Sequence, residues 1–285
     1  MANLKEIRNR IVSVSSTMQI TSAMKMVSAA KLKKAQDAIT AMRPYSEKLT
    51  ELIQSLSASL EGDFAANYTT QREVKKVLVV AITSNRGLCG ALNSNVLKQV
   101  KILTEKYGHD NVGIFAIGKK ANDGLHKTNY VIANRSDIFD DLTFDNTAEI
   151  AQSLTHLFLD GEYDKVELVY NQFVNAATQN VVNEQFLPLA PIKGAAAISS
   201  DYIFEPSKEE IVLELIPKSL KTQLYKAVRD SFAAEHGARM TAMHKATDNA
   251  TDLRNQLKLT YNKARQAAIT GEILEIVGGA EALNN

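Results

Sequence analysis

A loop with two glycines, Ser84-Asn85-Arg86-Gly87-Leu88-Cys89-Gly90, follows a β-branched run and opens a helical pattern. In that setting, backbone amides at a helix N-terminus can cradle a phosphate. The spacings that such a cradle needs are missing. No GxGxxG follows the run, no GxxxxGK[ST] occurs anywhere, and Gly118-Lys119-Lys120 lacks the hydroxyl residue. Cys89 is the single cysteine, flanked by leucine and glycine with no histidine nearby in sequence, so it has nothing to activate it as a nucleophile. A lone thiol also excludes an intramolecular disulfide and the CxxC motifs, which fits a reducing compartment. The five histidines are scattered, with no HExxH, and read as surface or capping residues. GxSxG is absent too. These residues predict no catalytic site, no cofactor and no metal.

The elements around the loop have a clear order. Residues 75–83 form a continuous β-branched run, the pattern of a strand buried on both faces. A helix is predicted over 91–106, a strand over 112–117, a short helix to 126, a helix over 146–159, a strand over 165–170 and an edge strand over 181–187. Strands alternating with helices imply a largely parallel, Rossmann-like α/β domain, placed at 74–205. Residues 61–73 read as a connector. Pro188, Pro191 and Gly194 to Ala197 close the domain, and Phe204-Glu205-Pro206-Ser207 supplies a stop and an N-cap.

Both ends of the chain, 1–60 and 208–285, read as long helices. In the first, position a falls at Leu4, Ile11, Met18, Lys25, Leu32, Ile39, Ser46, Ile53 and Leu60, and d at Ile7, Val14, Thr21, Ser28, Ala35, Met42, Leu49 and Leu56. About 13 of roughly 17 such positions are apolar, a seam that needs a partner helix. The simplest pairing is an antiparallel coiled coil of the two ends. Thr21, Lys25 and Ser28 interrupt the seam; they mark either a surface used for something other than pairing or a register device. Pro44 is expected to kink or break the first helix, and Pro217 to bend the second. Ala234, Ala238, Ala242, Ala246 and Ala250 make a ridge of period four, which drifts around a helix with 3.6 residues per turn and so calls for supercoiling or a change of partner. The alternative is that alanine is simply a strong helix former.

The chain has 285 residues and a formal net charge of +1, but its charge is unevenly spread. The terminal helices are basic and the middle is acidic. A basic shaft could face nucleic acid, anionic lipid or an acidic protein surface, or merely be solvated. No stretch approaches the roughly 18 apolar residues of a membrane span. Met1 leads straight into the helical pattern without a signal or presequence.

Two segments carry more specific information. Residues 20–31, from Ile20 through Met24 and Lys25 to Lys31, and residues 261–280 closely resemble the γ subunits of F-type ATP synthases. The C-terminal pattern Ile-Thr-x-Glu-x-x-Glu-x-x-x-Gly-Ala is met in full from Ile269 to Ala280. Residues 84–93, 238–243 and 246–250 are similar as well, so the likeness spans the chain.

That resemblance implies a rotor shaft turning inside three α and three β subunits. The α/β domain would sit at its foot with the ε subunit against the c ring, and δ would be reached only indirectly. It implies that Met24, Lys25, Arg265, Gln266, Thr270 and Glu272 contact the β-subunit loops that grip the shaft. Lys31, Lys33 and Lys34 would face the acidic lever region of β, and Leu88 and Cys89 would lie toward the foot. Catalysis would belong to β. The setting implied is the cytoplasmic face of a bacterial inner membrane, with the membrane touched only through partners. With Cys89 alone, the dithiol switch of chloroplast members cannot form. A stand-alone Rossmann-type enzyme would need the missing fingerprint, and a nucleic-acid adaptor would need salt-dependent binding to DNA or RNA.

Overall fold

The β-branched run becomes the central strand β1, Val77–Ile82, with every residue buried. A computed structural model describes residues 4–59, 66–189, 205 and 207–283. Around β1 lie β2 (Val112–Ile117), β3 (Tyr130–Asn134), β4 (Lys165–Phe173) and β5 (Gln179–Leu187), in the sheet order β3-β2-β1-β4-β5. All neighbours are parallel except β4 and β5, which are joined as an antiparallel hairpin. The chain builds outward from β1 to β3 on one side and then crosses to β4 on the other. The gap between the C-terminal ends of β1 and β4 is therefore the topological switch point of a doubly wound sheet.

Alternate residues of β1 feed two separate cores. Val77, Val79 and Ala81 pack with Ile114 and Ala116 against α3 (Leu92–Tyr107) and α4 (Lys119–Leu125). Leu78, Val80 and Ile82 face α5 (Phe144–Leu159) through Ile150, Leu154 and Phe158. Among the described residues, α5 is the one long helix of the domain on this second face, with Tyr68 and Ile138 beside it. The face is completed by the first part of α6 (Lys208–Leu283), which contributes Ile216, Leu220, Leu224, Ala227 and Val228. The return helix is thus a covering layer of the sheet before it is anything else.

The sequence reading locates these elements well, with three corrections. β3 is not in it: its five residues are partly exposed at a sheet edge, so it lacks the apolar run that marks β1 and β2. A short helix α2, Ala66–Thr69, lies within the expected connector. Of the kink or break expected at Pro44, the break does not occur, because α1 (Leu4–Ser59) is helical through it. Pro217 also lies inside its helix, α6. Both positions have lost one backbone bond in a helix long enough to hold on either side. Ser207 does cap α6, accepting from the Glu210 amide at 3.2 Å. Leu60, residues 61–65, Pro191, Gly194 to Ala197, Phe204 and Pro206 lie outside the described residues.

Two compact units divide the chain, Met1–Ser28 with Met240–Asn285, and Ala29–Arg239. Within the first, α1 and α6 pair antiparallel. The Thr251 hydroxyl donates to Met18 Sδ at 3.3 Å, the Thr21 and Thr247 hydroxyls bond at 2.8 Å, and Lys25 Nζ meets His244 Nδ1 at 3.3 Å, so one number rises as the other falls. The seam is used as the heptad predicts: Ile7, Thr21 and Ser28 are buried in this unit, and Leu32, Ala35, Ile39 and Leu49 in the other. Thr21 therefore belongs to the pairing, and the interruption it begins is a polar register contact and not a surface turned away from the partner helix. The alanine ridge changes partner, since Ala234 and Ala238 pack with Cys89, Leu92 and Phe173 of the sheet domain.

Leu154 is fully buried between α5 and the sheet. Leu154→Ala is expected to lower stability by about 2 to 5 kcal/mol, read from the urea midpoint of the far-UV circular dichroism transition.

Candidate functional site

Beside the loop after β1, the first amides of α4 are already engaged. The α4 amides of Lys119, Lys120 and Ala121 donate to Asn85 Oδ1 at 2.9 Å, Ser84 O at 3.1 Å and Thr83 Oγ1 at 2.7 Å. Gly118, with φ at +105°, brings the chain so close to the Thr83 carbonyl that any Cβ would collide with it. Asn93, the second residue of α3, accepts from the Ser84 amide at 3.0 Å and donates to Cys89 Sγ at 3.2 Å. The loop after β1 is consumed in holding itself and its neighbours.

The remaining carbonyls of that loop are held by α6. Arg239 Nη2 donates to Arg86 O at 3.1 Å and Gly87 O at 3.2 Å, while its Nη1 donates to Glu235 Oε1 at 2.6 Å. Arg239 and Glu235 are buried, one turn apart on the helix. Burial pushes the Glu235 carboxyl up, against the pull of the Arg239, Lys31 and Arg86 cations. Clamped in this way, the loop turns Leu88 outward, 65% exposed and with φ at +63°. A branched residue in the left-handed region costs free energy that the surrounding bonds must offset, a pattern found at contact sites. Its neighbour Cys89 is buried beneath, against Leu92 and Ala234.

His236 corrects the reading of the histidines as surface or capping residues. It is 5% exposed, its ring meets Phe232 edge-on with centroids 4.5 Å apart, and neither ring nitrogen has a hydrogen-bond partner. Burial, helped by the Arg239 and Lys31 charges, pushes it down to about 4. Among the described residues no group of His, Cys, Asp and Glu could hold a metal ion.

The residues drawn from the terminal segments fall into two separate patches. Met24 and Lys25 are half-buried on α1, with Lys25 on His244. Arg265, Gln266, Thr270 and Glu272 are all exposed on α6, the Thr270 hydroxyl donating back to Gln266 O at 2.9 Å. Since Lys25 sits opposite His244, the second patch begins about 30 Å further along the helix at 1.5 Å per residue. In this register α1 runs out opposite about residue 265, and among the described residues α6 continues alone. Ile269, Ile273, Leu274, Ile276 and Val277 on that extension are 44 to 71% exposed. So much apolar surface on one helix end marks an interaction site. Ile20, Met26 and Val27 are exposed on α1 as well.

A model of the family described as ATP synthase matches residues 3–283. A protein of Flavobacterium johnsoniae called ATP synthase gamma chain is 77% identical over the whole of both chains. The chain belongs to the ATP synthase gamma-chain family. Another family member, from Flavobacterium psychrophilum, is 76% identical over 99% of each chain. Among solved structures, a chain of the central stalk and c ring of the Tetrahymena thermophila mitochondrial ATP synthase is 26% identical, with a TM-score of 0.64 over 80% of this chain and 99% of that one. Among the described residues, no helix is long and apolar enough to cross a membrane.

Sequence reasoning missed Glu235, His236 and Arg239. Their signal was available: three ionisable side chains set among Ala233, Ala234, Gly237 and Ala238, on a helix stretch that otherwise reads as buried. Arg239→Ala is expected to free the loop and raise the rate at which Cys89 reacts with a thiol reagent by about tenfold or more, as losing two charge-assisted bonds implies. The single cysteine makes that rate directly measurable.

Proposed function

We propose that this chain is the central rotor shaft of an F-type ATP synthase. It couples ion flow through the c ring to ATP synthesis and hydrolysis at the β-subunit sites, and carries no catalytic site of its own. The observation that carries this reading is the unpaired end of α6, whose exposed apolar side chains need an enclosing partner. A sleeve of α and β subunits, three of each, is the partner that family membership suggests. Three equivalent sites pass through different states only if the shaft offers each a different face in turn, because a contact shifts an equilibrium only through differential affinity. Here α1 ends before α6 does, and the two exposed patches lie at different heights, so the paired helices are unlike on their different sides.

Within this reading, Met24 and Lys25 form one contact with the gripping loops of β, and Arg265, Gln266, Thr270 and Glu272 a second. The exposed Lys31, Lys33 and Lys34 meet an acidic lever region, where charge complementarity favours docking and register more than raw affinity. Leu88 and Cys89 lie toward the foot, where the α/β domain meets ε and the c ring, with δ reached only indirectly. The chain is peripheral, on the cytoplasmic face of a bacterial inner membrane, and touches that membrane only through its partners. That the loop after β1 is taken up in holding α4 and Arg239 supports the reading that this chain carries no nucleotide site.

Co-expression with the α and β subunits is expected to give a stable ATPase complex retaining one copy of this chain; assembly of α and β that never retains it would overturn the reading. Within that complex, Arg265→Ala or Gln266→Ala is expected to lower ATPase turnover by roughly tenfold, the scale of one lost hydrogen bond at a transition between states, with the circular dichroism of the chain unchanged. Unaltered turnover would remove those residues from the contact.

A further inference from the structure

We propose that His236 is an acid-operated release for the clamp that holds the loop after β1 to α6. The geometry makes protonation of this one ring incompatible with the clamp. Neither ring nitrogen is hydrogen-bonded, so an imidazolium would place two buried donors without acceptors. The charges acting on the ring are the cations Arg239, on its own helix, and Lys31 on α1. Glu235, the residue before it, feels Arg239, Lys31 and Arg86. Phe232 meets the ring edge-on, with Phe139 stacked on Phe232 at 6.3 Å. The Glu235 carboxylate is already bonded to Arg239. A new positive charge can be satisfied only by drawing Glu235 away from Arg239 or by moving toward water. Either course unseats the guanidinium from the carbonyls of Arg86 and Gly87.

The sign follows from where the proton binds more tightly. His236 is held down to about 4 in the folded chain and takes up protons near 6.5 when unfolded. Its contribution is complete above about pH 6.5 and is lost as pH falls toward about 4. Glu235 cannot produce this loss. Its carboxyl is pushed up, so it binds protons more readily when folded, and its linkage has the opposite sign.

Cys89 reports on the clamp because it is the only thiol, is buried, and packs on Ala234 beside the cluster. The full-length chain is labelled with 4,4′-dithiodipyridine at pH 7.5 and pH 5, each rate divided by that of free cysteine at the same pH. Wild type is expected to become roughly 30-fold more reactive at pH 5, the ratio that a displacement from 6.5 to about 4 gives. His236→Phe and His236→Gln, which stay neutral, are expected to show little change between the two pH values. An equal rise in the variants, or no rise in wild type, would overturn the proposal. Should neither variant fold, the ring titration of His236 by nuclear magnetic resonance decides in wild type. A midpoint well below the other histidines, moving together with the amide signals of residues 86–90, supports the release. A midpoint near 6.5, or loop amides that do not follow, excludes it.

Discussion

A parallel sheet must be covered on both faces, and among the described residues this one supplies one long helix of its own, α5, to one of them. The first half of α6 makes up the deficit with Ile216, Leu220, Leu224, Ala227 and Val228. That need to bury apolar surface decides where the first half of the C-terminal helix packs. Leaving past the switch point, it carries Arg239 to the loop carbonyls. Beyond Arg239 its seam is taken over by α1. The site, the clamp and the helix pair all descend from the need to cover one side of β1 and β4.

Much of this was legible in the sequence, and the parts that were not have physical reasons. Long or wholly buried segments announce themselves, as with β1, α3, α5 and the heptad of α1, because the period is repeated often enough to stand above chance. β3 is short and half-exposed, so its pattern is weak. The polar interruption at Thr21 was ambiguous in one dimension, since a hydroxyl in a seam can face outward or meet its twin; Thr247 resolves it only in three. Glu235, His236 and Arg239 escaped notice because their roles depend on a loop some 150 residues distant in sequence, and no local spacing encodes that meeting. The residues of the two terminal segments were found through family likeness. Their separation along the helix is a matter of register, which a motif does not contain.

The clamp also explains why a fold shared with many nucleotide-binding proteins has an occupied crevice here. In open doubly wound sheets the switch point is where ligands settle. In this chain the loop after β1 is taken up by its neighbours: Thr83, Ser84 and Asn85 accept from the first amides of α4, and the carbonyls of Arg86 and Gly87 accept from a guanidinium. Polar groups of the loop serve to fasten helices. The architecture is retained and the ligand is, in effect, another part of the same chain.

The exposed stretch of α6 has a consequence for assembly. It carries a run of outward-facing isoleucine, leucine and valine side chains. Such an apolar face invites association with any similar face, that of a second copy included. The free chain is therefore most open to unproductive contact here. Its lifetime as a free molecule depends on how soon something closes around this stretch, which makes the order of arrival of its neighbours as consequential as their affinity.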